Sequence, residues 1–70
     1  MNKKSIKRYL STKIGEKIIV IYYGSRNRKE RYEGKIVRAY DNIFIIQLPN
    51  YEIKSFTYVD ILIKTVRIYI

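Results

Sequence analysis

Basic residues and tyrosines are interleaved in the middle of this sequence. The cations of this stretch are Arg26, Arg28, Lys29, Arg31, Lys35 and Arg38. The tyrosines among or beside them are Tyr22, Tyr23, Tyr32 and Tyr40. An arginine fork matches the oxygens of a phosphate, and an aromatic ring can stack on an unpaired base. The pattern therefore predicts a surface that binds nucleic acid, with Tyr23 and Tyr40 as its candidate aromatic contacts.

A second interpretation gives the same residues a structural role. Tyr32 and one of Tyr22 or Tyr23 would then fill the core, while the arginines only solvate a hairpin. A secondary basic patch near the start of the chain either extends the binding surface or serves solubility alone. That patch consists of Lys3, Lys4, Lys7 and Arg8. The sequence leaves these alternatives open.

The positive charge is concentrated in the first half of the chain. Fifteen Lys and Arg against six Asp and Glu give a net charge of +9 over 70 residues. Residues 1–38 hold twelve basic and three acidic side chains, whereas residues 39–70 hold three of each. A field of this sign attracts either nucleic acid or an acidic regulatory protein, and the sequence does not separate these two partners.

Several kinds of chemistry are excluded by residue type. The sequence has no Cys and no His, so it has no disulfide, no thiolate metal ligand and no imidazole base. Glu30 and Glu33 are three residues apart in a predicted strand and would point to opposite faces. No Gly-rich phosphate loop and no carboxylate metal cluster is present. We therefore expect a protein that is not an enzyme and needs no cofactor.

The first element predicted is a helix over residues 3–14. Its apolar positions recur with helical spacing and leave most of the lysines on other faces. Those positions are Ile6, Tyr9, Leu10 and Ile14. Asn2 or Ser5 is suited to cap the start of this helix, and Gly15 to end it.

Residues from Glu16 onward favour short β-strands separated by turns. The predicted strands are Lys17 to Tyr23, Glu30 to Tyr40, Ile43 to Leu48, Glu52 to Val59, and Ile63 or Lys64 to Ile70. Gly34, in the middle of the second strand, is predicted to form a bend or bulge. Asp60 is predicted to cap a single turn before the last strand.

Together these elements predict one domain, residues 1–70, that is mainly β with an N-terminal helix over about residues 3–14. Residues 16–70 would form a small five-stranded barrel of the SH3-like or Sm-like kind. Closure would hide the strand edges, and an open last strand would invite a homodimer through that edge. The longest apolar run, Ile18 to Tyr23, is six residues, and no secretory signal is visible. We therefore expect a cytoplasmic protein without membrane contact.

Three blocks of residues follow one another along nearly the whole chain: residues 24–34, Tyr40 with residues 43–46, and residues 55–62 with Thr65 and Val66. In their order and spacing these blocks resemble the Veg family of Gram-positive bacteria. The most specific block is Ser55-Phe56-Thr57-Tyr58-Val59-Asp60-Ile61-Leu62. The resemblance implies a small cytoplasmic protein with an Sm-like barrel that stimulates biofilm formation through transcriptional regulation. It implies no catalytic residues.

Overall fold

One helix precedes five antiparallel strands in the computed structural model, which describes residues 2–24 and 27–70. The elements are α1 Lys3–Ser11, β1 Lys17–Tyr23, β2 Lys29–Ala39, β3 Ile43–Gln47, β4 Ile53–Thr57, α2 Tyr58–Leu62 and β5 Val66–Tyr69. The strands form one sheet in the order β4-β3-β2-β1-β5. The prediction of a mainly β domain with an N-terminal helix is confirmed. Neither helix is long and apolar enough to cross a membrane, as far as the described residues extend.

Asn2, one of the two predicted alternatives, is the N-cap of α1, and Ser5 completes a capping box with it. The Asn2 side chain accepts a hydrogen bond from the Ser5 backbone N–H at 2.9 Å, and the Ser5 hydroxyl accepts one from the Asn2 N–H at 3.1 Å. The helix ends at Ser11, three residues earlier than predicted. The Thr12 hydroxyl donates to the Tyr9 carbonyl at 2.6 Å, which satisfies that carbonyl without a further helical turn.

The apolar stripe of α1 is narrower than predicted. Ile6 and Leu10 are buried, whereas Tyr9 and Ile14 are about half exposed. Because the helix stops before Ile14, this residue does not lie on the helical stripe. The two buried side chains join the core that the inner side of the sheet forms with Tyr58. Burial of these two residues holds the helix on the sheet, since a helix of this length is marginal alone.

Strand positions agree with the prediction to within about three residues, and β1 agrees at both ends. β4 ends at Thr57, two residues before its predicted end, because α2 begins there. The Thr57 hydroxyl accepts a hydrogen bond from the Asp60 N–H at 3.1 Å, so Thr57 is the N-cap of α2. The prediction that Asp60 is the cap is therefore wrong. Asp60 lies in the first turn of α2, where the positive end of the helix dipole stabilises a carboxylate.

Gly34 is not a bulge. It pairs in regular register with Ile18, and the register shift of β2 lies between Ile36 and Arg38. A Cβ atom at Gly34 would lie 2.4 Å from the carbonyl oxygen of Gln47. The glycine is thus needed because the end of β3 approaches the β2 backbone closely, and not because β2 bends there.

The sheet is open, so the predicted closure of a barrel is wrong. Among the described residues, β4 pairs only with β3, and β5 pairs only with β1. Helix α2 lies between these two edge strands in the chain and contacts both of them. The two helices cover the apolar core. In a closed barrel, hydrogen bonding between β4 and β5 would cover it instead.

Candidate nucleic-acid interface

Strand alternation places the basic residues of β2 on the side of the sheet that faces away from the core. Gly34 and Ile36 are buried on the core side, so Arg31 and Lys35 point outward. The bulge after Ile36 restores this sidedness for Arg38, which pairs with Ile45 of β3. The predicted arginines and lysine of β2 therefore share one face despite the irregular register.

Strand β1, next to β2, and strand β5, next to β1, extend this surface. Lys17 of β1 pairs with Lys35, and Ile21 of β1 pairs with Arg31 on one side and Arg67 of β5 on the other. Ile21 is 8% exposed although it lies outside the core cluster. The long stems of the two neighbouring arginines are suited to cover such an aliphatic side chain while their guanidinium groups stay in water.

We call this surface the outer face of β2, β1 and β5. Its polar and aromatic members are Lys17, Tyr23, Lys29, Arg31, Glu33, Lys35, Arg38, Arg67 and Tyr69. Six of these side chains are cations, and Glu33 is the one carboxylate that the described part of the chain places among them. Five cations from the first half of the sequence are thus gathered on one side of the sheet, together with Arg67 from the second half.

Glu33 partly neutralises two of the cations. Its carboxylate oxygens lie 2.6 Å from the Lys17 ammonium and 3.1 Å from the Arg31 guanidinium. The hydrogen bond from Lys17, followed by the charge of Lys17 and contacts with Arg31, lowers the pKa of Glu33. This residue therefore stays ionised at neutral pH. Within residues 2–24 and 27–70, no group of three or more Asp or Glu side chains could hold a metal ion.

Tyr23 lies at one end of the outer face and contacts two of its cations. The Lys29 ammonium is 5.9 Å from the centre of the Tyr23 ring, and the Arg67 guanidinium carbon is 5.6 Å from it. Both distances allow a cation–π interaction. The ring is 36% exposed. It therefore orients two cations and leaves part of its surface accessible to a ligand.

Tyr40 does not lie beside Tyr23. Tyr23 pairs with Lys29 at the beginning of β2, whereas Tyr40 follows Ala39 at the other end of that strand. The Tyr40 carbonyl accepts a hydrogen bond from the buried Tyr58 hydroxyl at 2.6 Å, and its own ring is exposed. The two predicted aromatic contacts are thus separated by the length of β2.

A further predicted cation lies in the loop before β2. Arg28 is exposed, and its carbonyl accepts a hydrogen bond from the Gly24 N–H at 2.7 Å. Arg26 lies outside the described residues. The loop therefore adds at least one accessible cation next to the Tyr23 end of the outer face.

The secondary basic patch belongs to a different part of the molecule. Helix α1 packs on the core side of the sheet, opposite the outer face. Lys7 forms an ion pair with Asp41 at 2.5 Å, and Lys3 donates to the Asn42 side chain at 3.1 Å. The hydrogen bond from Lys7 lowers the pKa of Asp41. Two of the four residues thus tie α1 to the β2–β3 turn, and the structure does not join them to the outer face.

The structure separates the structural tyrosines from the accessible ones. Tyr32 and Tyr22 pack against the core, and the Tyr32 ring centre lies 5.7 Å from that of Phe56. The Tyr32 hydroxyl donates to Glu30 at 2.6 Å, and this bond, with burial as a smaller cause, raises the pKa of Tyr32. Tyr23 is therefore the member of the Tyr22–Tyr23 pair that faces outward.

Sequence reasoning missed Lys17 and Arg67 as members of this surface. Alternation with buried neighbours along β1 and β5 could have placed both side chains on outward faces from the local sequence. The local sequence does not show that β5 pairs with β1, which brings Arg67 to this surface. It also missed Tyr51, which is 81% exposed and has a φ of 67°. Tyr51 borders a groove of about 400 Å³ with Lys17 and Lys35, at the end of the outer face opposite Tyr23.

Comparison with known proteins places this chain in a family. No curated protein matches it significantly. The family model described as biofilm formation stimulator Veg matches residues 2–69, which is nearly the whole chain. This match confirms the resemblance seen in the sequence blocks. The chain, with its open five-stranded sheet and its basic outer face, is a member of the Veg family of biofilm formation stimulators.

Proposed function

We propose that this Veg family member is a non-enzymatic regulatory protein that binds nucleic acid through the outer face and so acts in the transcriptional regulation of biofilm formation. The observation that carries the proposal is the gathering of six cations around one carboxylate on a single side of the sheet. Phosphate contacts of this kind supply sequence-independent affinity. Sequence preference would have to come from other contacts.

The spacing of the outer face suits a chain of phosphates. Side chains two residues apart on a strand are separated by roughly 6.6–6.8 Å, and neighbouring strands by about 4.8 Å. Arg31 and Lys35 therefore stand along β2, while Arg67 lies two strands away in line with Arg31. A flexible polyanion laid across these strands can meet several cations at once, which favours a single-stranded ligand.

The same fold elements support a proposal on the type of fold. Strands β1 to β4 form a meander, β5 returns to pair with β1, and a short helix precedes β5. This order agrees with a partly open version of a small SH3-like or Sm-like barrel.

An acidic regulatory protein is the alternative ligand. Tyr23 favours this alternative, because Lys29 and Arg67 already lie close to the ring on which a base would stack. A protein contact through carboxylates would need only the cations of the outer face. The protein would then regulate transcription by occupying an acidic repressor.

A salt titration tests the proposal. A fluorescent single-stranded oligonucleotide should bind, and neutralisation of about six phosphates would weaken its affinity roughly 300-fold between ~50 and ~200 mM salt. Fluorescence anisotropy measures this slope, and an unlabelled acidic polypeptide of matched charge serves as the competitor. Absence of binding at the lower salt would contradict the proposal. Preferential displacement by the polypeptide would favour the alternative.

Replacement of Glu33 by glutamine should strengthen oligonucleotide binding. The change releases Lys17 and Arg31 from their ion pairs and adds about one effective phosphate contact, worth about fivefold in affinity at 0.1 M salt. The lowered pKa of Glu33 means that mild acid does not mimic the substitution. Glu30→Gln is the matched control, since Glu30 lies on the same strand but on the other side. Equal gains for both variants would show that only net charge matters.

A further inference from the structure

The free edge of β5 offers unpaired backbone groups. The Tyr23 N–H donates to the Thr65 carbonyl at 2.7 Å, so the backbone groups of Thr65 point toward β1. Hydrogen-bonded and non-hydrogen-bonded pairs alternate along an antiparallel ladder, so Arg67 also points its backbone toward β1. The N–H and C=O groups of Val66 and Ile68 therefore point away from the sheet, and no described backbone group pairs with them.

A groove runs beside this edge. It has a volume of about 580 Å³ and is lined by Ile6, Tyr9, Ile61, Lys64, Val66, Arg67, Ile68 and Tyr69. Residues of α1 and α2 form one wall, and β5 forms the other. The edge is thus open to an incoming strand, and the wall that such a strand would face is largely apolar.

The charges around the groove select the chemistry of its occupant. Lys64 and Arg67 line it, and none of its described lining residues is acidic. The Lys13 ammonium lies 5.8 Å from the centre of the Tyr9 ring, but it also lies 3.9 Å from a Glu16 carboxylate oxygen, so the positive charge of the groove comes from Lys64 and Arg67. An acidic segment would be attracted here, whereas a second copy of this chain would bring its own net charge of +9.

We propose that the free edge of β5 binds an extended acidic segment of a partner protein by β-strand addition. The segment pairs with the backbone of Val66 and Ile68. Its side chains alternate in the same way as those of β5. Those on the core side are apolar and enter the groove beside Ile6 and Ile61, and those on the outer side are acidic and lie next to Arg67. This site shares Arg67 with the outer face, but unlike phosphate binding it depends on backbone pairing with β5.

A synthetic peptide of alternating Val and Glu, about seven residues long, is a suitable probe because it can span β5. Isothermal titration should detect binding, and N-methylation of alternate peptide amides should weaken it about tenfold or more in one register, since the blocked amides lose their hydrogen bonds to the edge. N-methylation in the other register should leave affinity nearly unchanged. The peptide modification leaves the protein intact, so misfolding cannot imitate the result.

A variant of the protein, rather than of the peptide, also tests the edge of β5. Ile68→Pro removes an N–H that points outward, a position that proline tolerates on an edge strand. It should abolish peptide binding while oligonucleotide affinity stays unchanged, and Ile68→Val is the control that keeps the N–H. Equal binding of a scrambled peptide with the same composition would overturn the proposal. Sedimentation that shows a stable dimer, which Ile68→Pro dissociates, would also overturn the proposal. The edge of β5 would then be occupied by a second copy of the chain.

Discussion

Simultaneous replacement of Lys35, Arg38 and Arg67 by glutamine should weaken binding of a single-stranded oligonucleotide roughly a hundredfold at 0.1 M salt. These three cations lie on the outer face and have no ion pair among the described residues, so each is available for a phosphate. Loss of three contacts should also lower the slope of log affinity against log salt by about two. Fluorescence anisotropy at several salt concentrations gives both quantities.

The matched control carries the same change in charge on another surface. Replacement of Lys3, Lys4 and Arg8 by glutamine also lowers the net charge from +9 to +6, but these residues lie on α1. The control should retain most of the affinity, because long-range attraction between charges is screened at 0.1 M salt. If the two triple variants lose affinity equally, binding follows net charge and the outer face is not a defined site. Circular dichroism verifies that both variants remain folded.

Gly34→Ala should lower the free energy of unfolding by about 1–3 kcal/mol, because the added methyl group overpacks a tight site. The new Cβ would lie 2.4 Å from the Gln47 carbonyl oxygen, which belongs to the backbone of β3 and cannot rotate away as a side chain could. Urea denaturation measures the change in free energy. Thermal unfolding should show a fall in Tm of about 4–8 °C for each kcal/mol lost.

Gly24→Ala is the corresponding control for the effect of alanine itself. Its Cβ would lie 3.4 Å from the Cβ of Arg28 and 3.6 Å from the Tyr22 ring, distances that need little adjustment. This variant should be close to the parent in stability. A Gly34→Ala protein as stable as Gly24→Ala would contradict the close approach of β3 to β2. The close approach at Gly34 would then not be what holds Lys35 in register with Gln47.

Local features were predictable because they depend on neighbours in the chain. Asn2 and Ser5 form the capping box that their residue types suggest, and the β-branched run of β1 has the predicted ends. The ends of α1 and β4 were not predictable to the same extent. Thr12 and Thr57 decide them through hydrogen bonds that compete with continuation of the element. The sequence equally allowed Asp60 as the cap, since Asp and Thr are both good N-cap residues.

The sequence correctly indicated that Gly34 has a structural role, but the predicted role, a bulge, is wrong. A glycine inside a strand indicates either a bulge or a close approach of another backbone. The local sequence cannot choose between these, because the approaching group, Gln47, is thirteen residues away in the chain. The bulge lies instead next to Val37, a residue type that carries no bulge signal. Only the pairing of β2 with β3 settles the question.

Residue types and their alternation by themselves determined a basic, mainly β domain in which Lys29, Arg31 and Lys35 share one side of a strand, and the sequence blocks indicated the Veg family. This much is local, since alternate side chains of a strand point to opposite faces whatever the strand pairs with. The tertiary structure decided that β5 pairs with β1, that the sheet stays open, and that Arg67 joins the outer face while Lys7 is held by Asp41. Such outcomes depend on contacts between residues far apart in the chain, which no local pattern specifies.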